Sequence, residues 1–181
     1  MVPPEDGASE IGAGELERLA ATFDRLQDAS ETFHVVREEG NGSGELTYKG
    51  NPGDLFVEMK GSGSDYGKLP DLQKLAHEFK HGEQFLDGLL GFTDITGTWH
   101  GYRDDLVDEA NAFIAGFLIE SGSPDQAKFI KELEAASKFG VDAVVKRLNA
   151  TDSPYGNNQR PNIQVPITNI GPNIYAIPRK N

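Results

Sequence analysis

Leu75-Ala76-His77-Glu78-Phe79-Lys80-His81 is the stretch that most restricts how this chain can fold and function. In an α-helix, residues four apart lie one turn from each other on the same face, with Cβ atoms about 5–6 Å apart. His77 and His81 have this spacing, so their imidazoles can bind one metal ion. Glu78 lies about 100° around the helix from His77. Its carboxylate can therefore reach a water molecule on the metal without being a ligand itself.

This arrangement predicts amide hydrolysis. Zinc lowers the pKa of a water molecule that it binds towards about 7, and a nearby carboxylate can take the proton and pass it to the departing amine. We therefore predict a zinc-dependent peptidase with Zn²⁺ as cofactor, in which His77 and His81 are metal ligands and Glu78 is the general base. The alternative is a solvated helix face with two histidines near Lys74 and Lys80, because chance alone produces an H-E-x-x-H string in roughly one such chain in a hundred.

The residues around the motif predict an amphipathic helix. Pro70 suits the first turn, where its missing N–H would have no partner, and Gly88 is a natural C-terminal stop. Between them the apolar positions form one stripe at helical spacing: Leu72, Leu75, Ala76, Phe79 and Leu86. The motif therefore lies in the middle of a helix that packs against a core.

The third ligand cannot come from the metzincin pattern. In that pattern a glycine three residues after the second histidine breaks the helix, and a ligand follows three residues later. Here these positions hold Gln84 and Asp87, and a continuing helix turns Asp87 about 240° away from His81. The only methionines, Met1 and Met59, precede the motif. Asp87 is expected at the helix end or on the surface.

A later helix offers a better third ligand. Apolar residues at helical spacing predict this helix, which Gly122 would end: Leu106, Val107, Ala110, Phe113, Ile114, Phe117 and Leu118. Glu109 lies at the edge of the face that would pack on the motif helix. Spacing alone leaves the choice open, because Asp104, Asp105 and Asp108 compete with Glu109. Asp108 could also orient a ligand imidazole or favour the helix start.

The rest of the chain predicts an α+β domain. A packing helix is expected over Glu15 to Gln27, followed by a small antiparallel sheet of three strands, Thr32 to Val36, Glu45 to Lys49 and Asp54 to Lys60. Turns are expected at Gly42 and Gly44 and at Asn51-Pro52-Gly53, and a Gly/Thr/Asp-rich loop around Trp99. Ser123-Pro124-Asp125-Gln126 has the form of a capping box that opens a fourth helix to Phe139, and a short helix to Leu148 follows.

The C-terminal part differs in composition. Residues 1–150 are predicted to form the domain, and residues 151–181 hold half of the ten prolines together with many asparagines. Proline disfavours regular packed elements here, so an extended tail that wraps the domain is expected.

Composition excludes several classes of function. The 181 residues carry a formal charge of −12, which repels nucleic acid and anionic lipid. The N-terminus lacks a basic and apolar leader, and no run approaches the ~20 apolar residues of a membrane span. Without cysteine, a metal site must use His, Asp or Glu. We expect no nucleic-acid or membrane partner and a soluble chain, with the compartment left open between a cellular and a secreted or delivered protein.

Two family resemblances add to this interpretation. The motif helix followed by Asp108-Glu109-Ala110-Asn111-Ala112-Phe113 resembles the pairing in ImmA/IrrE-type metallopeptidases, in which a glutamate before Ala-Asn is the third zinc ligand. The resemblance covers about residues 69–118 and implies that Glu109 is the third metal ligand. The helix-turn-helix present in many such proteins has no evident counterpart here.

The wider layout is similar to the peptidase-like C-terminal domains of RHS-repeat and other polymorphic toxins and effectors. That resemblance implies a minimal zincin-like, gluzincin-type fold, in which the sheet packs on the active-site helix and the glutamate-bearing helix. It also implies delivery into a target cell, a protein or peptide substrate, and an immunity or carrier protein as partner. In zincins the sheet edge beside the active-site helix pairs with substrate, and Asp54 to Lys60 is the candidate strand or else an ordinary core strand.

Further polar residues are weaker candidates. His100 and Tyr102, between the two ligand helices, are candidate catalytic residues that would donate hydrogen bonds to the oxyanion. Both residues are expected in the loop between these helices, and a histidine or tyrosine in a loop otherwise packs against its neighbours or caps a helix. His34 is expected to be structural.

Three functions remain open from the sequence. The first is an active metalloendopeptidase, and the second is a zinc-stabilised regulatory or binding module whose cleft the tail covers. The third is a metal-free domain with a chance motif.

Overall fold

The computed structural model describes residues 13–29, 32–38, 45–48, 54–60, 70–95, 98–102, 106–119, 127–153 and 155. Most of these residues are helical. In chain order the elements are α1 (Ala13–Gln27), β1 (Thr32–Glu38), β2 (Glu45–Tyr48), β3 (Asp54–Lys60), α2 (Asp71–Leu86), β4 (Gly91–Ile95), β5 (Thr98–Tyr102), α3 (Leu106–Ile119), α4 (Lys128–Ser137) and α5 (Val141–Leu148).

The three N-terminal strands form a mixed sheet in the order β1-β3-β2. β2 pairs with β3 antiparallel, but β1 pairs with β3 in parallel, with Thr32 opposite Asp54. The prediction of a purely antiparallel sheet is therefore wrong, because β1 pairs with β3, which runs in the same direction, and not with β2. β3 is the central strand, so Asp54–Lys60 cannot be the edge that binds substrate. The zincin-like arrangement of the sheet is not established by these strands and stays a prediction.

The stretch predicted as a loop around Trp99 is a second, two-stranded sheet. β4 and β5 pair antiparallel, with Gly91 opposite Tyr102 and Thr93 opposite His100. The loop prediction is wrong because the β-branched and aromatic residues of this stretch outweigh the glycines and the aspartate that lie within the same strands.

α2 is predicted correctly at both ends. Pro70 precedes the first helical residue and serves as N-cap. At the other end Gly88 has φ +72°, and the N–H groups of Gly88 and Leu89 donate to the carbonyls of Phe85 and Gln84. This is a Schellman motif, for which a residue at positive φ is required. Asp87 caps the helix end and forms an ion pair with Arg25 of α1, as expected for a residue outside the metal site.

α4 begins later than predicted. Ala127 has φ −57° and ψ 147°, which is not helical, so α4 begins at Lys128 rather than at Pro124. The capping-box sequence lies outside the described residues. Gly140, at φ 94°, separates α4 from α5, which ends at Leu148 as predicted.

The packing places α2 between two apolar clusters. Leu26, Phe79, Phe85 and Leu90 form the first, and α3 to α5 form the second from Ala110, Phe113, Ile130, Leu133, Val144 and Leu148. α2 and α3 touch closely, since a Cβ atom on Gly116 would lie 2.9 Å from the backbone oxygen of Gln73. Four polar residues of α2 contact α3 across this seam, namely Gln73, His77, His81 and Gln84.

The predicted tail is mostly outside the described residues. Residues 151–153 form a turn after α5, Tyr155 is described, and residues 156–181 are not. The turns predicted at Gly42, Gly44 and Asn51-Pro52-Gly53 also lie outside the described residues. Within the described chain, the helices are all too short or too polar to cross a membrane.

Candidate metal centre

α2 and α3 bring His77, His81 and Glu109 together. Nε2 of His77 lies 3.2 Å from Nε2 of His81. The Glu109 carboxylate approaches both rings, with Oε2 3.6 Å from Nε2 of His77 and Oε1 3.9 Å from Nε2 of His81. The three side chains each offer one ligand atom, and these atoms lie within 4.8 Å of one another. This group can hold a metal ion.

The distances suit a small divalent cation. Metal–ligand bonds of about 2.0–2.2 Å at tetrahedral angles separate neighbouring ligand atoms by about 3.3 Å. The measured separations of 3.2, 3.6 and 3.9 Å are close to that value. Two imidazoles and one carboxylate, with no thiolate, form a donor set that zinc accepts and that leaves one tetrahedral position for water or substrate.

The ligands are buried, which excludes the solvated-face alternative. His77 is 4 % exposed, His81 6 % and Glu109 8 %. Lys74, which that alternative placed at the surface, is also buried, and its ammonium group lies 3.0 Å from the Asp71 carboxylate.

Burial controls the charges of the ligands. Desolvation, helped by the neighbouring His81, lowers the pKa of His77 well below 6.5. His77 is therefore neutral at physiological pH, which keeps a ring lone pair free of protons. Desolvation, followed by the charges of Glu78 and Asp108, raises the pKa of Glu109 to about 8. Without a cation Glu109 is thus mostly protonated at neutral pH, and a cation would favour its carboxylate form.

Gln84 orients one ligand, and the sequence did not reveal this role. Its Oε1 atom lies 2.7 Å from Nδ1 of His81, and its amide donates to the backbone carbonyl of Asp108 at 2.9 Å. When Nδ1 carries the proton that Gln84 accepts, Nε2 faces the metal site with its lone pair. Asp108 was predicted to orient an imidazole as a carboxylate. In this contact its backbone carbonyl instead accepts a hydrogen bond from Gln84, which in turn orients His81. The sequence signal for this role is the position of Gln84, three residues after His81 on the same helix. The comparison with the metzincin pattern used that position only to look for a glycine.

Glu78 and Tyr155 lie beside the ligands. Glu78 is 1 % exposed, and its charge raises the pKa of both Glu109 and Tyr155. Tyr155 was not singled out from the sequence, because it belongs to a segment whose composition predicted only a tail.

The other candidates are placed as follows. His100 and Tyr102 lie in strand β5 rather than in a loop. Their side chains are outside the described part of the structure, so a catalytic role for them stays a prediction. Asp104 and Asp105 are also outside the described residues. His34 lies in β1.

The chain was compared with protein-family models, with curated proteins and with solved structures, and none of the three comparisons produced a match. The resemblance to ImmA/IrrE-type peptidases and to toxin domains therefore has no support beyond the quoted residues.

Proposed function

We propose that the protein is a zinc-dependent endopeptidase. The observation that carries the proposal is the convergence of His77, His81 and Glu109 at 3.2–3.9 Å, with the buried carboxylate of Glu78 beside them. Three protein ligands and a separate carboxylate are the parts that zinc hydrolases use, since structural zinc sites usually take four protein ligands.

Each residue has a distinct task in this proposal. Zinc, when held by the three ligands, supplies a Lewis acid that acidifies water and polarises a carbonyl. Glu78 takes a proton from the attacking water, whose oxygen bonds to the carbonyl carbon. The C–N bond then breaks, and Glu78 returns the proton to the amine nitrogen. Gln84 keeps His81 in the orientation that its ligand role requires.

The protonation states of His77 and Glu109 affect how the site binds zinc. Because His77 is already neutral, it releases no proton when a cation binds at neutral pH, whereas Glu109 releases the proton that it carries. Zinc uptake is then coupled to proton release and becomes tighter as pH rises towards 8.

The burial of all three ligands favours a second candidate, a zinc-stabilised regulatory or binding module without peptidase activity. Ligands exposed by at most 8 % leave little room for substrate unless a covering segment moves. A module of this kind would bind zinc and lack cleavage.

Glu78→Gln separates the two candidates. The variant removes the base and keeps the side-chain shape, so a peptidase should retain zinc and lose cleavage of an unfolded protein such as casein by at least about 100-fold. Zinc is measured by elemental analysis of protein purified without a histidine tag. Cleavage that survives unchanged in Glu78→Gln would exclude the mechanism.

Glu83→Gln is the matched control on the same helix. Its carboxylate accepts a hydrogen bond from Thr22 at 2.9 Å and pairs with Lys80 at 2.8 Å, on the side of α2 that faces α1. We expect this variant to cleave casein like the unmodified chain. Wild-type protein that holds zinc but cleaves nothing would support the binding module.

We further propose a toxin or effector role, with a cellular protein as substrate and an immunity or carrier protein as partner. It is supported by the sequence resemblance alone. Expression of the chain inside cells, with Glu78→Gln as the inactive partner, tests it: growth should be impaired by the active chain only.

A further inference from the structure

Tyr155 is held at a defined place by the turn that follows α5. Its backbone N–H donates to Oγ of Ser153 at 3.1 Å, and Ser153 is buried. Arg147, near the end of α5, binds the Asp152 carboxylate in the same turn. Residues 151–153 and Tyr155 are thus held beside α5, although the sequence from residue 151 onward predicts only a tail.

The Tyr155 ring is packed between two phenylalanines. Phe129 of α4 is stacked on it with ring centres 6.3 Å apart, and Phe113 of α3 meets it edge-on at 6.1 Å. Phe113 also contacts the ring of His77, with centres 4.6 Å apart. One phenylalanine therefore touches both a metal ligand and Tyr155, which places the tyrosine beside the metal centre.

Electrostatics indicate which end of Tyr155 faces the centre. Burial first, and then the charges of Glu109 and Glu78, raise the pKa of Tyr155 well above 10. The phenol hydroxyl is the group on which both charges act, so the hydroxyl end of the ring, which the Phe113 contact places beside His77, is the end directed towards the two carboxylates. It stays protonated at neutral pH and is a hydrogen-bond donor.

We propose that the Tyr155 hydroxyl donates a hydrogen bond to the carbonyl oxygen of the scissile peptide bond as negative charge develops on that oxygen. The inference rests on the proposed peptidase function. No bond to Tyr155 forms or breaks, and the hydroxyl keeps its proton. A donor fixed in advance by packing acts on the transition state more than on the substrate, which raises kcat. Tyr155 then has the role that the sequence suggested for His100 and Tyr102.

The test is Tyr155→Phe in the full chain, which keeps the packed ring and removes the donor. The substrate is a fluorogenic peptide copied from the fastest cleavage site in casein. We expect kcat to fall by about 100-fold, with KM within about twofold and zinc content unchanged. Tyr175→Phe, which removes a hydroxyl elsewhere in the C-terminal segment, is the matched control and should match the wild type.

A second readout does not depend on turnover. A phosphinic analogue of the same peptide has tetrahedral oxygens like those of the transition state, so Tyr155→Phe should weaken its binding by a factor similar to the loss in kcat. Unchanged kcat and unchanged analogue affinity would overturn the inference and leave the peptidase proposal standing. Parallel loss of zinc and activity would also overturn it, because that would show a structural role.

A third measurement applies if Tyr155→Phe does not fold. Replacement of Tyr155 by 3-fluorotyrosine keeps the hydroxyl and the packing, so kcat should stay within about threefold of the wild type. A fall of kcat by about 100-fold in this variant, which still has the donor, would contradict the inference. A zinc-loaded wild type without any cleavage would instead remove the peptidase proposal and the donor role with it.

Discussion

Oε1 of Gln84 lies 2.7 Å from Nδ1 of His81, and the amide of the same glutamine donates to the backbone of Asp108. One side chain therefore connects a metal ligand on α2 to the start of α3, next to the third ligand. The geometry of the site depends on this bridge as well as on the ligands.

Gln84→Ala should weaken zinc binding by about 10–100-fold, because the His81 ring loses the partner that sets its orientation and tautomer. Competition with a chelator of known affinity measures the change. Gln27→Ala, at the exposed end of α1, is the matched control and should leave affinity unchanged. Equal affinities for Gln84→Ala and wild type would show that helix packing alone orients His81.

The metal-free protein should lose stability between pH 6.5 and 8. In this range the folded state keeps the proton on Glu109, whose pKa is about 8, and the unfolded chain has released it at its ordinary value of 4.5. Stability therefore falls with rising pH, by about 2 kcal/mol across the interval. His77, with a lowered pKa, acts in the opposite direction only below 6.5. Urea midpoints after chelation measure the slope, and a midpoint that rises towards pH 8 would contradict the pKa assignment.

Zinc should remove this slope. Because the cation favours the Glu109 carboxylate, binding becomes tighter as pH rises, and the zinc-loaded protein should gain stability over the metal-free form most strongly near pH 8. The same urea series with and without zinc tests this, together with the proton release seen when zinc is added in weakly buffered solution. Zinc uptake without proton release at pH 7 would indicate that Glu109 is not a ligand.

Glu109→Gln should separate stability from metal binding. The amide has no proton to lose in the folded or the unfolded state, so the metal-free variant should be more stable than metal-free wild type wherever unfolding releases the Glu109 proton. The difference should widen by about 2 kcal/mol from pH 6 to pH 8 and become small only below the unfolded-state pKa of 4.5. Zinc binding should be lost in the variant. A stability difference that does not depend on pH would show that Glu109 is not the titrating group.

Gly116→Ala should move the two ligand helices apart. The added methyl carbon would lie 2.9 Å from the Gln73 backbone oxygen, and backbone cannot move aside as a flexible side chain can. We expect a loss of about 1–3 kcal/mol in unfolding free energy and weaker zinc binding. Gly14→Ala is the matched control, since no atom lies within 4 Å of its Cβ position, and it should be neutral or slightly stabilising. Full retention of zinc affinity by Gly116→Ala would mean that the site tolerates a wider helix separation.

The helices and the metal ligands were accessible from the sequence because their signals are local. His77 and His81 are one turn apart in any helix, and Pro70 and Gly88 mark the helix ends through their own backbone preferences. Spacing alone could not decide between Glu109 and Asp108 as the third ligand. The family resemblance assigned this role to Glu109, and the α2–α3 packing places its carboxylate 3.6 Å from Nε2 of His77.

Two of the errors concern relations between distant parts of the chain. The alternation of apolar residues within one strand does not indicate which strand lies beside it. The sequence therefore could not decide between β2 and β3 as the partner of β1. The position of Tyr155 has the same origin. Its neighbours Phe113 and Phe129 come from two different helices, so composition alone could only predict a tail.

The strand order β1-β3-β2 has a consequence for the growing chain during translation. Both outer strands bind to the one that is synthesised last, so a nascent polypeptide that has not yet released Asp54–Lys60 cannot assemble this sheet. The helix that carries both histidines begins at Asp71, shortly afterwards. The sheet is therefore complete before the histidine helix has been synthesised, and Glu109, which completes the metal-binding group, emerges after both.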